Sequence, residues 1–131
     1  MKTLFTIHAL VTWLFGLAFL LVPVALLSAY GITVNPGGVV IARLLGGAFV
    51  GLGVVAWFAR GALPSEALRA IILGIAVTAT LGCLVAIHGV LSSASNALGW
   101  LSVVLYGFFA VGFGTLAAGK APSGKAPVTA H

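Results

Sequence analysis

The sequence predicts an all-α membrane protein, with four transmembrane helices in a bundle and the first span kinked or broken at Pro23. Three observations carry this. Of 131 residues, 62% are hydrophobic and 5% charged, against about 25% charged in a soluble domain. Four apolar stretches each reach the roughly 20 residues that cross a hydrocarbon core. Short connections rich in Pro, Gly, Ser and Asn separate them. The mean hydropathy of +1.28 agrees.

The first span covers about 4–22. The apolar run continues past Pro23 to Tyr30, so a straight helix would be about 40 Å long, more than a core of about 30 Å. A kink, a break, or a short interfacial helix after Pro23 resolves the excess. The run is too long for the apolar part of a secretory leader, and Leu27-Ser28-Ala29 is a poor cleavage site, so the span is expected to remain uncleaved. The second span covers about 38–59, after turn signals at Asn35-Pro36-Gly37-Gly38. The third covers about 67–91. Ser65 is its expected N-cap, with Glu66 in the first turn. The fourth covers about 97–118, after the turn at 92–96. The spans form one domain, 1–118. Residues 119–131, GKAPSGKAPVTAH, read as a flexible basic tail.

Charge placement sets an expected orientation. With four spans, both termini and the 60–66 connection share a side. That side carries Lys2, Arg60, Arg69, Lys120 and Lys125, and the other two loops carry no charge. The positive-inside rule makes that side, with both termini, cytoplasmic. Trp57 and Trp100 fall near opposite interfaces, as an aromatic belt would place them.

Lipid gives helices little hydrophobic reason to associate, so close packing relies on small residues. The third span has Ala70, Gly74, Thr78, Gly82 and Ala86 at four-residue steps. The second has Gly46, Gly47, Gly51 and Gly53, including Gly47-xxx-Gly51. The fourth has Ala110, Gly114 and Ala118. These faces are expected to pack the bundle, with Gly47/Gly51 the one most suited to another chain.

Arg43 stands about five residues inside the second span, on the opposite side from Glu66, the one acid. A charge within a span is a functional hypothesis by default, set against snorkelling to lipid phosphates. His88, Tyr30 and Asn96 belong to the same side. With Arg43 they could line a polar site for a lipid headgroup, a quinone carbonyl or a pigment; no resident cofactor is otherwise expected. His8 and His88 lie near opposite faces and cannot share one haem iron, and each alone is a weak metal signal. Cys83, the one cysteine, reads as a buried, inert thiol.

No HExxH, GxSxG, P-loop or CxxC motif occurs. One carboxylate cannot form an acid/base pair, so a non-enzymatic role is expected. No basic stripe exists to follow a phosphate backbone, so nucleic acid is not an expected partner.

IARLLGGAFVGLGVVAWFAR (41–60) and SNALGWLSVVLYGFFAVGF (95–113) resemble segments of small bacterial four-helix integral membrane proteins of unknown function. The resemblance covers most of 1–118. It implies the four-span fold and a bacterial inner membrane, and carries no activity. The leading expectation is an accessory or scaffold subunit, associating through small-residue faces with itself or with a larger membrane complex. The alternatives are a binding module near Arg43 and His88, and a homo-oligomeric channel.

Overall fold

In the computed structural model, residues 1–119 are described, and they contain five helices. These are α1 (Lys2–Leu21), α2 (Pro23–Ala29), α3 (Pro36–Ala59), α4 (Glu66–Leu91) and α5 (Gly99–Ala118). The expected tail lies outside the described residues, apart from Gly119. Helices α1, α3, α4 and α5 are each long and apolar enough to cross a membrane. They are the four spans of the sequence reading, with ends moved by two residues or fewer.

The ends have local causes. At Val22 the backbone leaves the helical region (φ −134°, ψ 55°), and Pro23 opens α2 at its first position. Proline is suited to a first turn, where its missing N–H has no partner to lose. The long apolar run is therefore broken rather than bent, with a seven-residue helix after the break. The Asn35-Pro36 stretch, read as a turn, also starts a helix. Asn35 is the N-cap of α3, and its Oδ1 accepts from the Gly38 N–H at 2.8 Å. Ser65 caps α4 as expected, its Oγ accepting from the Leu68 N–H at 3.1 Å. Arg60 closes α3 and lays its guanidinium over the Trp57 ring, 3.5 Å from the centroid.

The spans run up and down in antiparallel order as two close pairs, α1 with α3 and α4 with α5. In the first pair, Gly16 meets Gly46. A Cβ added at Gly46 would lie 2.7 Å from the Gly16 carbonyl oxygen, so only glycine lets the backbones come this near. Further along, Trp13 packs on Gly53 and donates its indole N–H to the Val50 carbonyl at 3.2 Å. In the second pair the Tyr106 ring lies directly over Gly82. Cys83, at the same level, is half-buried rather than buried.

Between the pairs, contact is sparse. At the end bearing Met1, Phe5 packs edge-on against Phe113 (centroids 5.0 Å) and Leu4 lies over Gly112. At the opposite end, three hydrogen bonds join the halves. The Asn96 backbone N–H donates to the Tyr30 carbonyl, the Asn96 side-chain amide donates to the Ala29 carbonyl, and the Tyr30 and Ser102 hydroxyls meet at 3.0 Å. Gly31, at φ +74°, turns the chain out of α2 beside Asn96, a backbone state that glycine adopts without a Cβ penalty.

Most of the helix surface faces outward and is apolar; Leu14, Leu44, Phe58 and Val85 are each more than two-thirds exposed. Such a surface suits lipid and would not stay monomeric in water.

Candidate functional site: a cavity between the helix pairs

The pairs share a buried cluster that includes Phe5, Ala9, Ala56, Ile72, Ile75 and Phe113, and beyond it a space remains between them. It is a cavity of about 230 Å³, partly open to the surroundings and lined from all five helices. Its walls carry the aromatic rings of Phe15, Phe19, Phe49 and Phe109 and the polar side chains of His8, Thr12, Tyr30, Thr78, Ser102 and Tyr106. No Lys, Arg, Asp or Glu is among the lining residues.

Helical spacing produces this lining. On α1, His8, Thr12, Phe15 and Phe19 fall at steps of four, three and four, which keeps them on one face. On α5, Ser102, Tyr106 and Phe109 do the same. From Ser102 to Phe109 is about 10 Å along the axis at 1.5 Å per residue. The site thus runs from the hydroxyl pair Tyr30–Ser102 at one end to His8 well inside the bundle.

His8 is the most enclosed polar side chain, at 5% exposure. Its ring meets Phe109 and Phe113 edge-to-face, at centroid distances of 4.7 and 5.3 Å. Its Nδ1 is fully enclosed and has no hydrogen-bond partner. Thr12, one turn on, does not supply one, because its hydroxyl donates back to the His8 and Ala9 carbonyls at 2.9 and 3.1 Å. Buried polar atoms are normally paired, and an exception calls for a reason.

Of the four residues expected to form a ligand site, the structure brings two together. Tyr30 and Asn96 meet through the hydrogen bonds at the mouth of the cavity, and Tyr30 lines it. Arg43 and His88 are exposed and do not line the cavity. The helix-packing residues divide as well. Gly82 packs, under Tyr106, and Ala86 is half-buried. Thr78 faces the cavity. A Cβ at Gly47, Gly51, Gly74 or Gly114 would meet nothing within 4 Å. Helix phase explains it: Gly46 and Gly53, seven apart, lie against α1, which turns Gly47 and Gly51 away from it. His8, Thr12, Ser102 and Tyr106 are the site residues that sequence reasoning missed. The signal was present in the matched spacing on the first and last spans, but pairing those spans requires the tertiary fold. Among the described residues no cluster of three His, Cys, Asp or Glu side chains gathers.

Together these features define the class: a four-span helical membrane bundle with an uncharged interior cavity. Comparison with known protein families, curated proteins and solved structures gives no match. What stands is the coarser description, a small helical protein with four helices long and apolar enough to cross a membrane.

Proposed function

We propose that the protein is a membrane-embedded binding module that holds a small, largely apolar molecule between its two helix pairs. The observation that carries this reading is the cavity itself, a mostly apolar pocket with several aromatic rings and a few convergent polar groups. That is the usual make-up of a small-molecule site. It replaces Arg43 and His88 as the centre of binding with His8, Tyr30 and Ser102. A non-enzymatic role accompanies it, since the cavity lining offers no carboxylate or thiol for chemistry.

The test is purification in mild detergent, followed by organic extraction and mass spectrometry. Wild-type protein is expected to retain a near-stoichiometric small molecule. Thr78→Phe, which places a ring in the cavity, is expected to lose it, while Arg43→Ala and His88→Ala keep it. Identical extracts from wild type and Thr78→Phe would reject the reading.

A second reading, an accessory or scaffold subunit that joins a second copy or another membrane subunit, is favoured by the open face at Gly47 and Gly51. Native mass spectrometry separates the two, since a scaffold travels as a complex and a binding module as protein plus ligand. The proposed location is a bacterial inner membrane with both termini cytoplasmic, on the strength of Lys2, Arg60 and Arg69 gathering at one end. Cysteine labelling at Asn35 and at Ala62 should then report opposite sides.

A further inference from the structure

We infer that the occupant of the cavity is a compact, uncharged, ring-bearing amphiphile of the quinone or quinol type, and that His8 anchors its carbonyl or hydroxyl group. This inference rests on the cavity being a ligand site, and it names the chemical class that the site selects.

The imidazole of His8 is unpaired. His8 lines the cavity, is only 5% exposed, and has an Nδ1 without a partner. A plain hydrocarbon occupant would leave that deficit in place. An occupant with an oxygen able to donate or accept a hydrogen bond removes it once the imidazole turns about χ2 to present Nδ1 to the cavity. Phe109 and Phe113 pack against the ring in T-shaped geometry, and the part of the imidazole they leave uncovered lines the cavity.

Charge selects against anions. The lining holds no cation, so a phosphate or carboxylate drawn into the cavity would lose its hydration without an ionic partner. A phospholipid headgroup or a fatty-acid carboxylate is therefore not expected inside the cavity. Arg43, the one cation within the apolar part of α3, is exposed and lies elsewhere.

Size and shape favour a single ring. A cavity of roughly 150 Å³ takes a benzene, and this one measures about 230 Å³. One substituted ring fits; a tetrapyrrole or another multi-ring pigment does not. Phe15, Phe49 and Tyr106 offer ring faces and edges for it. An attached tail would leave through the open part of the cavity.

The experiment uses full-length protein in dodecyl maltoside and two radiolabelled probes of matched tail length. Decylubiquinone carries ring carbonyls, and decylbenzene has the tail and ring without them. Wild-type protein is expected to bind decylubiquinone about tenfold more tightly or better, the value of one good hydrogen bond in a dry site. His8→Leu is expected to erase the preference, and His8→Gln, which keeps donor and acceptor, to restore most of it. Equal binding of both probes by wild type overturns the inference and leaves the cavity reading intact. A preference that survives in His8→Leu also overturns it. If wild type binds neither probe, the cavity reading fails and the inference with it. The wild-type comparison decides even where a His8 variant does not fold.

Discussion

The seams inside the two helix pairs and the seam between the pairs are built from different residues, and the contrast accounts for the cavity. Inside α1/α3 the contact is glycine on glycine, with Gly16 and Gly46 backbone to backbone. Inside α4/α5 it is a ring on a glycine, Tyr106 on Gly82. Between the pairs, large aromatic residues with polar neighbours face one another, and beyond the buried cluster around Phe5, Ala56, Ile72 and Phe113 the halves meet again at the hydrogen bonds of Tyr30 and Asn96. In lipid, apolar surface gains little from leaving its surroundings, so helices close where small residues let many atoms touch. Where the facing residues are Phe15, Phe49 and Phe109, the backbones stay apart.

The sharpest way to break this contrast is to place a large residue in the tight seam. Gly46→Leu drives a Cβ into the Gly16 carbonyl and the Leu20 N–H, at 2.7 and 2.9 Å in the native geometry. Those atoms are backbone and cannot swing aside. A loss of about 3 kcal/mol is expected, the upper end for overpacking, read by unfolding in mixed detergent. Gly82→Ala is expected to cost less, because the Tyr106 ring can move into the cavity. A result as severe as Gly46→Leu would mean that the cavity wall is rigid.

The clasp at the mouth comes next. Tyr30→Phe removes the hydroxyl that meets Ser102 at 3.0 Å, and about 1 kcal/mol of stability is expected to go with it. In a double-mutant cycle with Ser102→Ala, a coupling of similar size is expected. Zero coupling would remove the hydroxyl pair from the account of how the halves are held. The two Asn96 bonds would then carry the mouth alone.

Much of this architecture was legible in the sequence. The four spans, the break at Pro23 and the Ser65 cap follow from hydropathy, proline geometry and capping chemistry, all of them local. The site was not local. Arg43 stood out because a charge in an apolar run is conspicuous one residue at a time. His8 looked ordinary for the same reason, since its significance lies in Phe109 and Phe113, a hundred residues away. The glycine stripes show the same limit. Gly46 and Gly47 are neighbours in sequence, and only the helix phase decides which of them touches α1.

His8→Leu reverses the usual sign of a core substitution. The imidazole is enclosed and its Nδ1 is unpaired. A near-isosteric apolar side chain removes the unpaired group without opening much space. The ligand-free protein is therefore expected to gain about 1 kcal/mol, measured after exhaustive delipidation. A loss instead would show that His8 finds a partner in the free protein, and the anchoring role would fail.

The smallest expected effect is at Gly47. A Cβ there meets nothing within 4 Å, and leucine is a better helix former than glycine, so Gly47→Leu in an isolated chain should leave stability intact. The adjacent pair Gly46→Leu and Gly47→Leu thus differ by one helix step and, for a protein that works alone, by nearly the whole effect. The difference narrows only if another chain covers the outer face of α3. Unfolding of Gly47→Leu alongside wild type, at several protein-to-detergent ratios, reads this directly. A loss that grows as the protein is concentrated marks a contact between copies. A loss confined to membranes, absent in detergent, marks a different partner. No loss in either condition removes the main support for a scaffold and leaves the interior cavity as the feature around which the four helices are arranged.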